Sequence, residues 1–88
     1  MSLTAFMTLD LPKATSDQRE AFYKSLRGSR WRKIEGVTTA WAKTFTEGAV
    51  ESAVSKAVVQ DLEAAKSASG GAYRADYLIS PSALRSAS

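Results

Sequence analysis

The first segment of the chain alternates apolar and polar residues with a period of two. Every odd-numbered residue from 3 to 11 is apolar, whereas the even-numbered residues are Thr4, Phe6, Thr8 and Asp10. Because successive side chains of a strand point to opposite sides of a sheet, this period is typical of a half-buried strand. The segment therefore predicts a strand with one apolar side and one mixed side.

The segment after this strand has the signals of a helix. Pro12 ends the strand, and polar residues that commonly begin helices follow at Thr15, Ser16 and Asp17. The apolar residues at helical spacing are Ala14, Phe22 and Leu26. Since glycine commonly terminates helices, we expect this first helix to stop at Gly28.

A longer apolar stripe predicts a second helix from Thr46 to about Ser67. Its members are Val50, Ala53, Val54, Ala57, Val58, Leu62 and Ala65. Glu47 and Glu51 lie near the start of this segment, where the helix dipole favours anions. The sequence SASGG closes it.

Two strands are predicted between the helices and one after them. The stretch RWRKIEG leads into VTTAWAKTF, which is rich in β-branched and aromatic residues, so we expect a hairpin that turns at residues 35–37. One side of the second arm holds only small residues, which are Thr38, Ala40, Ala42 and Thr44. The stretch AYRADYLIS predicts the last strand, and Pro81 ends it.

The predicted order βαββαβ indicates an α+β fold of the ferredoxin-like kind, a four-stranded antiparallel sheet with two helices on one face. Residues 1–80 form one domain and residues 81–88 a mobile tail. A chain of 88 residues buries a limited share of its surface, so we also expect a homodimer.

The side of the sheet away from the helices is left without cover in this arrangement. It presents Phe6, Thr8, Asp10, Ala40, Ala42, Arg74, Asp76 and Leu78. A mixed surface of this kind is typical of a contact with a partner: a second sheet in a dimer, an added protein chain or nucleic acid. The dimer is the preferred interpretation.

The composition excludes several kinds of chemistry. The chain has no His and no Cys, so the commonest general base and the sulfur ligands of zinc are missing. Catalysis would have to use carboxylates, hydroxyls, Lys or Arg, or a hard metal ion. No apolar run approaches the roughly eighteen residues of a membrane span, and no export signal is apparent, so we expect a cytoplasmic protein without a membrane partner.

Basic residues concentrate in KSLRGSRWRK, residues 24–33. Five of the twelve Lys and Arg residues of the chain lie there, without an Asp or Glu among them: Lys24, Arg27, Arg30, Arg32 and Lys33. Lys24 and Arg27 also suit the C-terminal end of a helix, which is a structural reason for two of the five. A tryptophan such as Trp31 is more often a core or dimer contact than a base-stacking platform. If Trp31 is exposed, the group could contact a phosphate backbone and stack a base. A solvated corner is the alternative.

The segment FMTLDLPKATSDQREAFYKSL resembles the start of the small ferredoxin-like proteins of the second CRISPR-associated core protein and virulence-associated protein D type. The matching residues are Asp10, Leu11 and Arg19. The resemblance implies a dimer in which two Asp10 side chains approach each other, share a divalent metal such as Mg²⁺ and assist phosphodiester hydrolysis. It assigns a phosphate contact to Arg19.

The leading hypothesis is therefore a homodimeric protein that binds nucleic acid, RNA or DNA. If it is an enzyme, we expect a metal-dependent endoribonuclease of a defence or toxin–antitoxin system. Asp10 would be the catalytic residue and metal ligand, while Arg19 and the basic residues 24–33 would hold phosphates. The alternative is a non-catalytic module that recruits another protein through the open side or a free edge of the sheet. A small-molecule enzyme ranks last, because no polar constellation supports it.

Overall fold

The computed structural model describes residues 2–34 and 40–81, which form one sheet and two helices. The elements are β1 (Thr4–Asp10), α1 (Ser16–Gly28), β2 (Arg32–Lys33), β3 (Ala40–Thr44), α2 (Glu51–Ser69) and β4 (Arg74–Ser80). Neighbouring strands are antiparallel, and their order across the sheet is β2-β3-β1-β4. The predicted α+β ferredoxin-like fold is confirmed.

The register of the strands divides the sheet into a helix side and a side that neither helix covers. On the second side Phe6 lies between Ala42 of β3 and Leu78 of β4, and Ala42 pairs in turn with Arg32 of β2. The other rungs of this side are Thr4 with Thr44 and Ser80, Thr8 with Ala40 and Asp76, and Asp10 with Arg74. We call the side formed by these residues the open face. The sequence predicted it correctly, because the period of two holds along β1, β3 and β4.

The hydrophobic core lies between the other side of the sheet and the two helices. It takes the odd-numbered residues of β1 together with residues at helical spacing from both helices. Its buried members are Ala5, Met7, Leu9, Leu11, Phe22, Leu26, Trp31, Trp41, Val54, Val58, Leu62 and Ala65. Four members of the predicted stripe of α2 are thus core residues, and burying apolar area of this kind is the main stabilising contribution to such a fold.

Helix α1 begins where the sequence predicts but ends by a different device. The Thr15 side chain accepts a hydrogen bond from the Gln18 backbone N–H, and the Gln18 side chain accepts one from the Thr15 N–H, which is a capping box. At the other end the Trp31 N–H donates to the Leu26 carbonyl and the Arg30 N–H to the Arg27 carbonyl, both at 3.0 Å. This pair of bonds is a Schellman motif.

The prediction that α1 stops at Gly28 is confirmed, but Gly28 is not the left-handed residue of the cap. Gly28 is the last helical residue, and the left-handed position of the motif, with φ of 71°, is occupied by Arg30. Glycine is favoured there because a side chain costs energy at positive φ. The apolar contact that usually accompanies this motif is available from Trp31 and Leu26, which both lie in the core.

Helix α2 starts five residues later than predicted. Residues 46–50 precede it, with Gly48 at φ of 90° and the N–H of Ala49 bonded to the carbonyl of Thr46. This turn breaks the helical path, so Glu47 lies outside the helix while Glu51 lies in its first turn. Gly70, at φ of 73°, ends α2 as the SASGG signal predicts.

Two predictions fall on parts of the chain outside the described residues. The hairpin turn at 35–37 lies in the segment 35–39, and the tail lies in 82–88. The second strand is only two residues long where it is described, which agrees with its poor alternation.

Candidate functional site

Asp10 ends β1 at the same end of the sheet as the start of β4. It pairs in register with Arg74, and Asp76 follows on the next rung of the open face. The three side chains belong to residues that line one shallow hollow of about 210 Å³. Opposite charges that face each other across strands attract, so Arg74 lies where it can balance the Asp10 carboxylate. The structure thus places Asp76 on the same face of the sheet as Asp10.

This trio does not fit a magnesium site within one chain. Magnesium prefers oxygen ligands, and the two carboxylates supply them, but the Arg74 guanidinium on the same hollow already provides positive charge. Among residues 2–34 and 40–81 no group of three or more Asp, Glu, His or Cys could hold a metal ion. No catalytic step is therefore assigned to Asp10.

The predicted phosphate contacts do not form one site with Asp10. Since β1 and β2 are parallel, α1 begins at the end of the sheet where Asp10 lies and finishes at the opposite end. Arg19 is exposed in the first turns of α1, near the Asp10 end. Arg32 lies on the same rung of the sheet as Phe6. It is two strands away from β1, and Phe6 is four residues from Asp10, so strand geometry puts the backbones of Arg32 and Asp10 about 16 Å apart. Asp10 and Arg32 therefore stand apart on the sheet, while Arg19 lies nearer to the Asp10 end.

The five cations predicted as a group do lie together, around the end of α1 and the edge strand β2. We call them the basic corner: Lys24, Arg27, Arg30, Arg32 and Lys33, all exposed. Adjacent strand residues point to opposite sides, so Arg32 is on the open face and Lys33 on the helix side. The basic corner therefore wraps around the β2 edge.

Two of these cations are held against aromatic rings. The Arg27 guanidinium lies 5.9 Å from the ring centroid of Trp41, and the Lys33 ammonium lies 5.4 Å from that of Tyr23. The two rings also contact each other, with centroids 5.3 Å apart. A cation over a ring face is attracted by the ring quadrupole, which fixes where both positive charges stand.

Trp31 is not an exposed stacking platform, and the prediction that it is exposed is wrong. Only 2% of the residue is accessible, and its indole Nε1 donates a hydrogen bond of 2.9 Å to Asp61 of α2. The same Asp61 oxygen accepts a bond of 2.8 Å from the Lys43 ammonium of β3. Trp31 thus follows the Schellman motif into the core and joins three elements there.

Sequence reasoning missed Asp61 entirely. Its one signal is its position: it is three residues after Val58 and one before Leu62, so it borders the apolar stripe of α2. Lys43, an apparently misplaced cation among the apolar residues of β3, is its matching partner. Opposite charges that border the apolar faces of two different elements can therefore be used to predict an ion pair between them.

Among the large hydrophobic residues of the described strands, the most exposed one lies on the open face. Leu78 is 60% exposed, and Phe6 beside it is partly exposed. A hollow of about 270 Å³ lies on this face, bordered by residues that include Phe6, Ile34, Ala40, Asp76 and Leu78. Ala40 borders this hollow, and both it and Ala42 of the same strand are small and nearly buried.

No family model and no curated protein matches the chain. Neither described helix is long and apolar enough to cross a membrane.

Proposed function

We propose that this protein binds nucleic acid through the phosphate backbone, with the basic corner as the contact surface. The observation that carries the proposal is that Lys24, Arg27, Arg30, Arg32 and Lys33 are all exposed around one end of α1 and one sheet edge. The segment 24–33 holds no Asp or Glu. A local excess of positive charge raises the concentration of phosphates at such a surface.

The chemistry of this corner suits phosphates better than bases. Lysine and arginine neutralise phosphate charges and release the counterions bound to the nucleic acid, which favours binding. The aromatic rings near these cations, Trp31, Trp41 and Tyr23, are buried or half-buried, so they offer no free ring for stacking. We therefore expect binding that depends on charge and hardly on sequence.

The structure allows a charge-removing variant that spares the fold. Arg27 and Lys33 contact rings, whereas Lys24 lies on the exposed side of α1 and Arg30 occupies a left-handed position that suits glycine. The test variant is Lys24→Ser with Arg30→Gly. Its matched control is Lys66→Ser with Lys13→Gly, because Lys66 is exposed on α2 and Lys13 has φ of 58°. Both control residues lie toward the Asp10 end of the sheet.

The experiment measures binding of labelled single- and double-stranded RNA and DNA at several salt concentrations. For the native chain log K should fall steeply with log salt, with a slope of roughly −4 for five phosphate contacts. The test variant should lose affinity and about 2 units of slope, whereas the control should keep both. Absence of salt-dependent binding at low salt, or equal losses in both variants, would overturn the proposal.

A nuclease role for Asp10 is checked on the same substrates, with Mg²⁺ and with a chelator. Cleavage that needs the metal and disappears in Asp10→Ala would extend the proposal from binding to hydrolysis. Binding without cleavage would leave a nucleic-acid-binding protein.

A further inference from the structure

We infer that a second copy of this chain packs on the open face, related by a two-fold axis that runs parallel to the strands between β1 and β3. This interface does not rest on the nucleic-acid proposal, although Arg32 belongs to both the basic corner and the open face. It follows from the exposed residues, their charges and the register of the sheet.

The open face needs a partner because an apolar patch on it is left in water. Leu78 is 60% exposed and borders, with Phe6 and Ile34, the hollow of about 270 Å³. Neither helix covers this side, since both pack on the opposite side with the core residues of β1. Burial of such a patch between subunits is favourable by the hydrophobic effect.

The charges of the open face are those of a surface that pairs with itself. Its described residues include two cations, Arg32 and Arg74, and two carboxylates, Asp10 and Asp76. They balance, so this face does not attract a polyanion as the basic corner does. In a two-fold interface every contact between two different residues occurs twice, once in each direction. A face that carries both cations and carboxylates can therefore pair its charges with those of an identical face.

The position of the axis follows from where large and small side chains lie. A two-fold axis parallel to the strands, between β1 and β3, places β1 of one copy opposite β3 of the other. On one rung this sets Phe6 against Ala42 of the second copy, and on the next Thr8 against Ala40. Large residues thus meet small ones, which allows the sheets to approach closely, with aligned strands as in β-sandwiches.

The same axis sets β2 opposite β4. Arg32 is on the rung of Leu78, one step from Asp76, so each Arg32 faces the Leu78 and Asp76 stretch of the second copy. This gives two equivalent ion pairs at the two margins of the interface. An arrangement with the axis perpendicular to the strands would lack these pairs.

The area of the open face limits how tightly two copies are expected to bind. Four strands span about 19 Å, and a strand of seven residues spans about 23 Å, so the two faces together cover at most roughly 900 Å², since β2 and β3 are shorter. Stable interfaces generally bury at least ~1,200 Å². We therefore expect a dimer that forms in the micromolar range, and measurements must extend to that concentration.

The first test is sedimentation equilibrium of the full chain, without nucleic acid, from about 1 μM to about 1 mM. The native chain should pass from monomer to dimer, and Leu78→Asp should weaken the dimer by at least tenfold. The control is Val59→Asp, because Val59 is an exposed apolar residue of α2, away from the open face. A native chain that stays monomeric at 1 mM, or a dimer that Leu78→Asp leaves intact, would overturn the inference.

The second test exchanges the charges of Arg32 and Asp76 and thereby checks the proposed orientation of the second copy. Arg32→Asp alone places two acids at each margin, and Asp76→Arg alone places two cations there, so each variant should be monomeric. A mixture of the two variants should form a heterodimer, since both margins then regain an opposite pair. Failure of the mixture to associate when the native chain dimerises would overturn the proposed axis.

These readouts also separate this inference from the nucleic-acid proposal. The variant Lys24→Ser with Arg30→Gly leaves the open face unchanged, so it should dimerise like the native chain. Circular dichroism of each variant confirms that it is folded. If the open face instead receives another protein, the native chain remains monomeric throughout, which counts against the inference.

Discussion

The indole Nε1 of Trp31 donates a hydrogen bond of 2.9 Å to the Asp61 carboxylate, which also receives the Lys43 ammonium. Trp31 follows α1, Lys43 belongs to β3 and Asp61 to α2, so a single oxygen joins both helices to the sheet. Hydrogen bonds to a charged group are stronger than neutral ones. This oxygen therefore fixes how the helices sit on the sheet.

Replacement of the two tryptophans by phenylalanine should have unequal costs. Both are almost fully buried, but the Trp41 Nε1 has no hydrogen-bond partner among the described residues, whereas Trp31 is bonded to Asp61. Trp31→Phe should therefore lower the free energy of unfolding by about 1.5 kcal/mol more than Trp41→Phe. Urea denaturation of the two variants measures the difference. Equal losses would show that the bond to Asp61 contributes nothing to stability.

Glycine at position 30 should stabilise the protein. Arg30 has φ of 71°, a left-handed conformation that costs a residue with a side chain roughly 1–2 kcal/mol. Arg30→Gly removes this cost but adds freedom to the unfolded chain, so we expect a net gain of about 0.5–1 kcal/mol. Arg30→Ala serves as the control, because it removes the charge and keeps the strain. A gain in thermal stability for both variants alike would point to charge instead of backbone conformation.

A better N-cap should stabilise α2. Val50 occupies the N-cap position with extended backbone, makes no side-chain cap and is 61% exposed. Val50→Asp would supply an oxygen to the free N–H groups of the first turn, with an expected gain of about 1 kcal/mol in the free energy of unfolding. The substitution Val59→Asp, in the middle of the same helix, should give no gain. Thermal unfolding of both variants measures the change in stability, and equal changes would contradict a capping effect at position 50.

Stability should fall at high pH through Tyr73. Burial raises the pKa of Tyr73 above its ordinary value of 10.0, and its hydrogen bond of 2.8 Å to Glu63 and the charge of Glu63 raise the pKa further. The folded protein thus holds this proton more tightly than the unfolded chain. The stabilisation is complete below pH 10 and is lost as pH rises from there through the folded pKa.

Tyr73→Phe removes the titrating hydroxyl and keeps the ring, which lies 5.8 Å from that of Phe22. The decline in stability above pH 10 should be shallower in this variant than in the native chain. Parallel slopes for the two proteins, measured by denaturation between pH 8 and pH 11, would contradict the assignment.

Local patterns predicted the fold because they act within single elements. The period of two in β1 decides which residues enter the core, and the spacing from Val54 to Ala65 decides the buried side of α2. The ends of the helices were predicted less well. The start of α2 depends on a turn at Gly48, and the end of α1 depends on a left-handed arginine, a conformation that the residue type itself argues against.

The candidate site was harder to predict because it depends on relations between elements. The basic corner could be anticipated, since its members are close in sequence. The hydrogen bond of Trp31 to Asp61 could not, because it joins residues 30 positions apart. The separation of Asp10 from the basic corner likewise follows from the parallel course of β1 and β2, which no single segment encodes.

The two edges of the sheet differ in a way that bears on aggregation. Along the described chain the β2 edge offers only two residues, Arg32 and Lys33, both cationic, whereas the β4 edge is a seven-residue strand. Repelling charges on a short edge discourage a foreign strand from joining it. Open-ended fibrils require that both edges accept a neighbour, so the two cations of β2 disfavour fibril growth, and a foreign strand is expected to join at β4.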